Sequence, residues 1–261
     1  MKLHNLNIFL GKKIFNNLNL FTYNLFNYFY KRIIVKEKPE YISEWITNGY
    51  QKIQKVPNDY INNINENLKD QYNVIENNQK DINKNGYFWF EITDKIKDNI
   101  LKIINEPLQP LLKNLKIYYN SDIILANINI TRNYNIEKKT EKFSNFFHND
   151  AYIFTLIKIF INLHDVDKKH GPLRFIKNKD SKSVIKKDFN NIKLNRLDHI
   201  TQEDLVNHNI GLKGEVFICD TTKIIHSAGI PESNQFRDML FLEFCAYPKK
   251  KDIASIDKNI I

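Results

Sequence analysis

The sequence predicts an α+β fold in which short strands form a double-stranded β-helix (jelly roll, cupin-like) with N-terminal and flanking helices. In the first part of the chain, apolar residues recur every three or four positions, which is typical of amphipathic helices. From Ile117 onward the period changes to two, which is typical of strands. Helices first, and then short strands separated by turns, point to an α+β chain built on a jelly roll.

The length of 261 residues suits one large domain, and a hydrophobic content of 42% is enough for a full core. We expect an N-terminal amphipathic helical segment at residues 1–35, a jelly-roll domain at 36–250 and a basic tail at 251–261. Lys and Arg number 39 against 30 acidic residues, which gives a net charge of +9. The chain is rich in Asn, Lys and Ile, a composition that nucleotide bias in a genome can produce. The net charge therefore permits an anionic partner without requiring one.

Residues 1–34 carry one helical stripe of apolar side chains. We favour packing of this helix on the protein's own barrel, and the alternative is peripheral contact with an anionic membrane, because the segment is also basic. Asn and Lys interrupt every apolar run, unlike in a signal peptide, and no stretch reaches the about 18 apolar residues that span a membrane. With two cysteines and no secretion signal, we expect a cytoplasmic protein.

Five elements are predicted in the first part of the main domain from the apolar period and from prolines. They are a helix that opens at Tyr41–Trp45, a strand at Gly49–Val56, an amphipathic helix at Pro57–Asn85, a short strand or buried edge at Phe88–Ile92, and a helix at Lys95–Leu115 that Pro107 and Pro110 interrupt near its end.

Residues 121–133 form a predicted strand with a polar face. That face carries Asn127, Asn129, Thr131 and Asn133, because residues two apart point to the same side of a strand. Such a face either lines a wet pocket or meets solvent, and the pattern leaves both open. In the first case, Asn129 is the candidate contact for a cofactor or substrate.

Residues 151–163 are the most strand-like run, and both of its faces are predicted to be covered. We expect Lys158 to extend along the surface rather than to reach a pocket. Leu212–Asp220 and Met239–Tyr247 are predicted returning strands. The charged residues 134–145 form a loop that could act as a lid, and the polar residues 177–210 form an excursion over the pocket mouth.

The segment Phe146-Phe147-His148-Asn149-Asp150 carries the strongest chemical signal. His148 and Asp150 are two positions apart, so in a strand both point to one face. With His226 they offer two imidazoles and one carboxylate, the facial set of non-haem Fe(II) sites, which leaves open positions for chemistry. Arg237 follows after enough chain for one turn and a return strand, and its planar fork can hold a carboxylate. We predict that His148, Asp150 and His226 are the metal-binding and catalytic residues.

Other interpretations of these residues stay open. A lone His-x-Asp pair is frequent by chance, and a single histidine is more often structural than a ligand. A rival cluster is crowded into one turn instead of being set by a strand, and it consists of His164, Asp165, Asp167 and His170. Thiolate-rich sites are excluded, because the two cysteines, Cys219 and Cys245, are far apart in sequence.

The order of His148, Asp150, His226 and Arg237 resembles the pattern of Fe(II)/2-oxoglutarate-dependent oxygenases. Further segments are similar to those of the phytanoyl-CoA dioxygenase-like (PhyH) group, and the similarity covers roughly residues 40–248. These segments are Asn48-Gly49-Tyr50, Ile161-Asn162-Leu163-His164-Asp165 followed by His170-Gly171-Pro172-Leu173-Arg174-Phe175-Ile176, and Gly214-Glu215-Val216-Phe217-Ile218-Cys219-Asp220 followed by His226-Ser227-Ala228-Gly229. Two positions depart from the group: Lys177-Asn178-Lys179-Asp180 replaces a Pro-Gly-Ser-His turn, and Ala228 replaces a small hydroxyl residue.

The resemblance implies a 2-oxoglutarate-dependent dioxygenase that hydroxylates a small metabolite, lipid or sugar-linked substrate and releases succinate and CO2. It implies Fe(II) as the metal, O2 as the oxidant, ascorbate as a reductant, and 2-oxoglutarate as a co-substrate whose far carboxylate pairs with Arg237. Because Asp150 is present, hydroxylation or a related oxidation is favoured over halogenation, for which relatives replace this carboxylate with a small residue.

Two alternatives come from other classes. The first is a jelly-roll binding protein that retains the metal site without turnover. The second is a nucleic-acid dealkylating oxygenase, which the net charge of +9 suggests. Those enzymes usually carry a second arginine soon after the first, whereas Glu243 stands in that region and no arginine follows Arg237. We therefore expect no nucleic-acid partner.

Overall fold

The computed structural model describes residues 38–77, 86–136, 144–150, 156–184, 197 and 199–248. The N-terminal segment 1–35, the tail 251–261 and most of the charged loop 134–145 lie outside the described residues, as does much of the polar stretch 177–210. The predictions made for those parts therefore stay predictions.

Six α-helices occur within the described ranges. In chain order they are α1 (Ser43–Asn48), α2 (Asn58–Asn67), α3 (Lys69–Asn77), α4 (Asp94–Asn105), α5 (Gln109–Tyr119) and α6 (Asn178–Val184). Short 3₁₀ helices lie at Glu40–Ile42, Lys168–His170 and Glu203–Leu205. None of the described helices has both the length and the apolar run that crossing a bilayer requires.

The same ranges contain nine β-strands. They are β1 (Tyr50–Ile53), β2 (Tyr87–Trp89), β3 (Ser121–Tyr134), β4 (Leu156–Asn162), β5 (Arg174–Ile176), β6 (Val206–His208), β7 (Val216–Cys219), β8 (His226–Ser227) and β9 (Phe236–Pro248). Six of them form one sheet in the order β1-β7-β4-β9-β3-β2, and three form a second sheet in the order β6-β5-β8. The pairs between these strands are antiparallel.

The two faces of the six-stranded sheet have different partners. On one face, Ile157, Ile159 and Ile161 of β4 belong to the same buried core as residues of the helices, among them Ile96 and Ile100 of α4. On the other face lies a second cluster from both sheets: Phe160, Leu173, Phe175, Phe217, Cys219, Ile224 and Met239. The chain is thus an α+β protein with helices on one side of the large sheet and the small sheet on the other.

The described parts of the predicted strands at residues 121–133 and 151–163 are confirmed as β3 and β4, and β4 is buried on both faces as expected. Two predicted helices are each divided in two. Pro57–Asn85 breaks at Leu68, where no Gly or Pro marks a boundary that the apolar period could reveal. Lys95–Leu115 breaks around Pro107, and Pro110 lies in the first turn of α5, where its missing N–H is tolerated.

Candidate active site

A short antiparallel pairing brings His148 and His226 together. The N–H of His148 donates to the carbonyl of His226 at 2.9 Å, and the N–H of His226 donates to the carbonyl of His148 at 2.8 Å. Two residues that exchange both hydrogen bonds in this way lie directly opposite each other. Their imidazole centroids are 4.4 Å apart, and both side chains are buried.

Asp150 completes a cluster with the two histidines. Its N–H donates to the carbonyl of Thr221 at 2.9 Å, which holds the segment against the loop before β8. Its carboxylate oxygens lie 3.8 Å from Nε2 of His148 and 3.7 Å from Nε2 of His226. One ligand atom from each residue lies within 4.8 Å of the others, and within the described part of the chain this is the one group of that kind found.

Backbone carbonyls orient both imidazoles. Nδ1 of His148 donates to the carbonyl of Phe146 at 2.8 Å, and Nδ1 of His226 lies 3.4 Å from the carbonyl of Ile224. Each contact is made to the residue two positions earlier and leaves Nε2 facing Asp150. Burial lowers the pKa of His226 to about 3, and the nearby His148 lowers it as well. His226 is therefore neutral at pH 7 and keeps a lone pair on Nε2 for a metal ion.

Lys158 neutralises the carboxylate of Asp150. Its Nζ lies 2.8 Å from Oδ2 of Asp150 and 3.3 Å from Oε1 of Glu243. Burial alone would raise the pKa of the Asp150 carboxyl, but Lys158, followed by His226 and His148, holds that pKa well below its ordinary value. The expectation of a surface position for Lys158 is wrong, because this strand lies between two others and the lysine points into the interior.

Arg237 is buried with no carboxylate from the described residues against it. Its side chain is 2% exposed, Nη1 donates to the carbonyl of Gly171, and Nε has no hydrogen-bond partner among those residues. Burial lowers the pKa of Arg237 to about 10, and the charge of Arg174 acts in the same direction. A buried guanidinium without an anion is unfavourable, so a negatively charged group beside Arg237 would be stabilised.

Two glycines allow the segment at Gly171 to reach Arg237. A Cβ on Gly229 would lie 2.2 Å from the carbonyl oxygen of Pro172, and one on Gly171 would lie 2.3 Å from the carbonyl carbon of Ile230. Gly171 also has a φ of +60°. The two segments therefore cross backbone to backbone, which only glycine permits at these positions.

The triad and Arg237 line one cavity of about 290 Å³ between the two sheets. The strand register places four rows of side chains across the cavity side of the large sheet. In order along the strands, the rows are Tyr87-Asn133-Arg237, Trp89-Thr131-Met239-Asn162, Asn129-Phe241-Phe160 and Asn127-Glu243-Lys158. Of the predicted polar face, Thr131 and Asn133 line the cavity, whereas Asn129 faces the same side but is not among the lining residues. A role for Asn129 stays a prediction.

The rival cluster has structural roles instead. Nδ1 of His164 donates to the carbonyl of Asp165 at 2.7 Å, and its Nε2 accepts from the N–H of Asp238 at 2.9 Å. One neutral tautomer satisfies both contacts. Asp167 and His170 form a capping box on the 3₁₀ turn Lys168–His170. These four residues are therefore not arranged around a common ion.

Several residues that line the cavity are not predicted from the sequence pattern. Tyr87 and Trp89 lie on the edge strand β2, and their alternation with Phe88 is a usable but short signal. Lys158 is predicted at the surface from its residue type alone. A lysine in a strand that is buried on both faces needs a buried partner of opposite charge, so the position of Lys158 in such a strand predicts pairing with an acid.

No family model matches the sequence, and no curated protein matches it either. Solved structures do match the fold. A non-heme monooxygenase, ThoJ in its apo form, aligns with a TM-score of 0.54 and 10% identity over 79% of this chain and 77% of its own. HygX from Streptomyces hygroscopicus, with nickel and 2-oxoglutarate bound, aligns with a TM-score of 0.53 and 9% identity over 81% and 88%.

A third similar structure is the epimerase SnoN in complex with Fe3+, alpha ketoglutarate and nogalamycin RO. It aligns with a TM-score of 0.51 and 14% identity over 83% of this chain and 91% of its own. At these low identities the likeness concerns the fold alone. The chain therefore shares the fold of non-heme, alpha-ketoglutarate-dependent enzymes.

Proposed function

We propose that this protein is an Fe(II)- and 2-oxoglutarate-dependent dioxygenase, of the phytanoyl-CoA dioxygenase-like kind, built on a double-stranded β-helix. The observation that carries the proposal is that two imidazoles, one carboxylate and a buried arginine without an acid from the described residues line a single cavity. The donor set fits iron, because nitrogen and oxygen ligands on one face suit Fe(II) and leave positions open. Similar folds that bind nickel, iron and keto acids lend further support.

Each residue of the site has a defined task. His148 and His226 present Nε2, held in orientation by the carbonyls of Phe146 and Ile224, and Asp150 supplies the negative charge. Arg237 binds the far carboxylate of 2-oxoglutarate. When bound, iron supplies the oxidising chemistry, in which 2-oxoglutarate and O2 yield succinate, CO2 and one oxygen atom for the substrate. The protein orients the reactants and excludes water.

The substrate side of the cavity is a wall of aromatic rings. Trp89 packs edge-on against Tyr87 at 5.4 Å and against Phe241 at 5.9 Å, and Phe241 lies 6.2 Å from Phe160. Trp89 is 50% exposed, so one part of it remains available to a ligand. We assign this wall to a small metabolite, lipid or sugar-linked substrate that is hydroxylated.

We also propose how the chain divides into three segments. Residues 36–250 constitute the catalytic domain, 1–35 an amphipathic helix that packs on it, and 251–261 a basic tail. Flotation of the full chain with anionic vesicles tests the first segment, because membrane association would oppose packing on the domain.

The test of the function uses metal binding and succinate release. Full-length protein is titrated with Fe(II) without oxygen and then screened for succinate release with candidate metabolites, 2-oxoglutarate and ascorbate. His148→Ala and His226→Ala should each weaken metal binding by at least about 100-fold, because even partners behind a ligand are worth about 10–100-fold. His199→Ala is the matched control, since His199 is exposed and away from the cavity.

The outcomes separate the candidates. Unchanged iron affinity in His148→Ala would refute the ligand assignment. Iron binding without succinate from any substrate would favour the binding protein that retains the metal site.

A further inference from the structure

Lys158 has an unusual position for a lysine. It lies inside the six-stranded sheet, where its strand neighbours are Glu243 on β9 and Cys219 on β7. Its side chain is 13% exposed and lines the cavity. A buried ammonium is unfavourable unless it is paired, so its contacts define its role.

Two acids share this ammonium. Oδ2 of Asp150 lies 2.8 Å from Nζ, and Oε1 of Glu243 lies 3.3 Å from it. Glu243 also accepts a hydrogen bond from Nδ2 of Asn127 at 3.3 Å. Asp150 thus has the closer contact, while Glu243 draws on the same charge from the neighbouring strand.

The ammonium of Lys158 lies directly beside Asp150, which is the one anionic residue of the triad His148, Asp150 and His226. Without a metal ion, the buried carboxylate of Asp150 needs a positive partner, and Lys158 provides it. When a divalent ion binds, the carboxylate of Asp150 must coordinate the ion, and the nearby ammonium of Lys158 repels the ion.

We propose that Lys158 is the internal counter-cation of the metal-free site, and that a metal ion must compete with it for Asp150. This inference rests on the proposed metal-binding function. Lys158 stabilises the metal-free protein more than the metal-loaded protein. By thermodynamic linkage, it therefore weakens metal binding by the same free energy difference. Glu243 moderates that competition by holding part of the lysine's charge.

A positioning role predicts the opposite sign. If Lys158 mainly held Asp150 in the orientation that the ion requires, its removal would weaken metal binding. The direction of the change in affinity therefore decides between the two roles.

The test is cobalt binding to the full chain, with Co(II) as an air-stable substitute for Fe(II). Lys158→Met keeps much of the stem and removes the charge. We expect the Kd for Co(II) to fall by about tenfold, because one repulsive charge next to the ligand is lost. The melting temperature without metal should fall, whereas the melting temperature with saturating Co(II) should stay close to that of the wild type.

Two further variants complete the experiment. Glu243→Gln removes the second carboxylate from Lys158, so more of the lysine's charge falls on Asp150 and the Kd for Co(II) should rise. Lys223→Met is the matched control, because Lys223 pairs with Asp220 at 3.2 Å, its side chain is also mostly buried, and it does not line the cavity. It should lower the melting temperature equally with and without Co(II) and leave the Kd near that of the wild type.

The outcomes are distinct. If the wild type does not bind Co(II), the proposed function itself fails. If it binds Co(II) and Lys158→Met binds it equally or more weakly, the counter-cation role is overturned while the proposed function stands. Should Lys158→Met not fold without metal, recovery of folding in Co(II) supports the role. Should it fold in neither condition, Glu243→Gln decides, and unchanged or tighter binding in that variant overturns the role.

Discussion

At the scale of single residues, buried charges without partners carry the most information. Arg237 has no carboxylate from the described residues, whereas Arg132 has one at 2.6 Å. Both residues are buried arginines in the paired strands β3 and β9, on opposite faces of the large sheet, and the sequence pattern alone does not distinguish their roles. Only the presence of an acid separates a structural arginine from one that can hold a ligand.

Replacing Arg237 should affect the co-substrate and leave the metal alone. We expect Arg237→Met to weaken 2-oxoglutarate binding by about 30-fold or more, or about 2 kcal/mol, because a buried charge partner is lost. The Kd for the metal should not change. Calorimetric titration of 2-oxoglutarate into the metal-loaded protein measures the first effect, and titration of the metal ion into the metal-free protein measures the second.

Arg237→Lys is the control for geometry. Lysine keeps the charge but cannot form two parallel hydrogen bonds, so its affinity for 2-oxoglutarate should lie between those of the wild type and Arg237→Met. Wild-type affinity in Arg237→Met would show that the anchor lies elsewhere.

At the scale of elements, the register of β2, β3 and β9 arranges the cavity. Alternation on β3 correctly separates a polar face from an apolar one. It does not show which of the polar residues reaches the site, because that depends on the strand opposite. Asn133 pairs with Arg237 and lines the cavity, while Asn129 pairs with Phe241 further along the strand.

The edge strand β2 supplies a testable part of the proposed substrate wall. The two tryptophans of the chain differ, because Trp45 is fully buried and Trp89 is 50% exposed at the cavity. We expect a substrate found by the succinate screen to change Trp89 fluorescence. Trp89→Ala should raise KM by about tenfold, since an aromatic contact contributes roughly 0.5–1.5 kcal/mol beyond the area it buries. Metal affinity should be unchanged.

Trp89→Phe keeps an aromatic face and serves as the control. It should retain most of the substrate affinity while losing the fluorescence response. A fluorescence response that persists in Trp89→Phe would place the effect at Trp45 and contradict the assignment.

At the scale of the whole molecule, one buried ion pair joins the helices to the sheet beside the site. Arg132 on β3 binds Asp238 on β9 through two hydrogen bonds of 2.6 Å, and its guanidinium lies over the rings of Tyr72 on α3 at 4.5 Å and Phe236 at 3.9 Å. Asp238 directly follows Arg237. This cluster therefore stabilises the fold beside Arg237, the proposed anchor for the co-substrate.

Loss of this pair should destabilise the whole protein. Arg132→Met leaves Asp238 as a buried charge without its partner, so we expect a loss of about 3–5 kcal/mol in the free energy of unfolding, or a melting temperature lower by on the order of 10 °C. Thermal denaturation followed by circular dichroism measures the change.

The double variant Arg132→Met with Asp238→Leu should recover part of that stability, because an apolar pair of similar volume often replaces a buried ion pair at little cost. No recovery would show that the contacts of the guanidinium with Tyr72 and Phe236 dominate instead.

The local features of this protein follow from its amino-acid sequence alone. The strand period and the His-x-Asp spacing are set by residues that are close together in the chain. The sequence therefore suffices to place His148 and Asp150 together at one site. The α+β class likewise follows from the order of periodic segments.

Which distant groups meet depends instead on the tertiary structure. It brings His226 opposite His148, leaves Arg237 without an acid among the described residues, and makes Lys158, expected at the surface, the partner of Asp150. The physical reason is that the burial and pairing of a charge depend on the strands beside it. Those neighbours come from parts of the chain whose register no local pattern encodes.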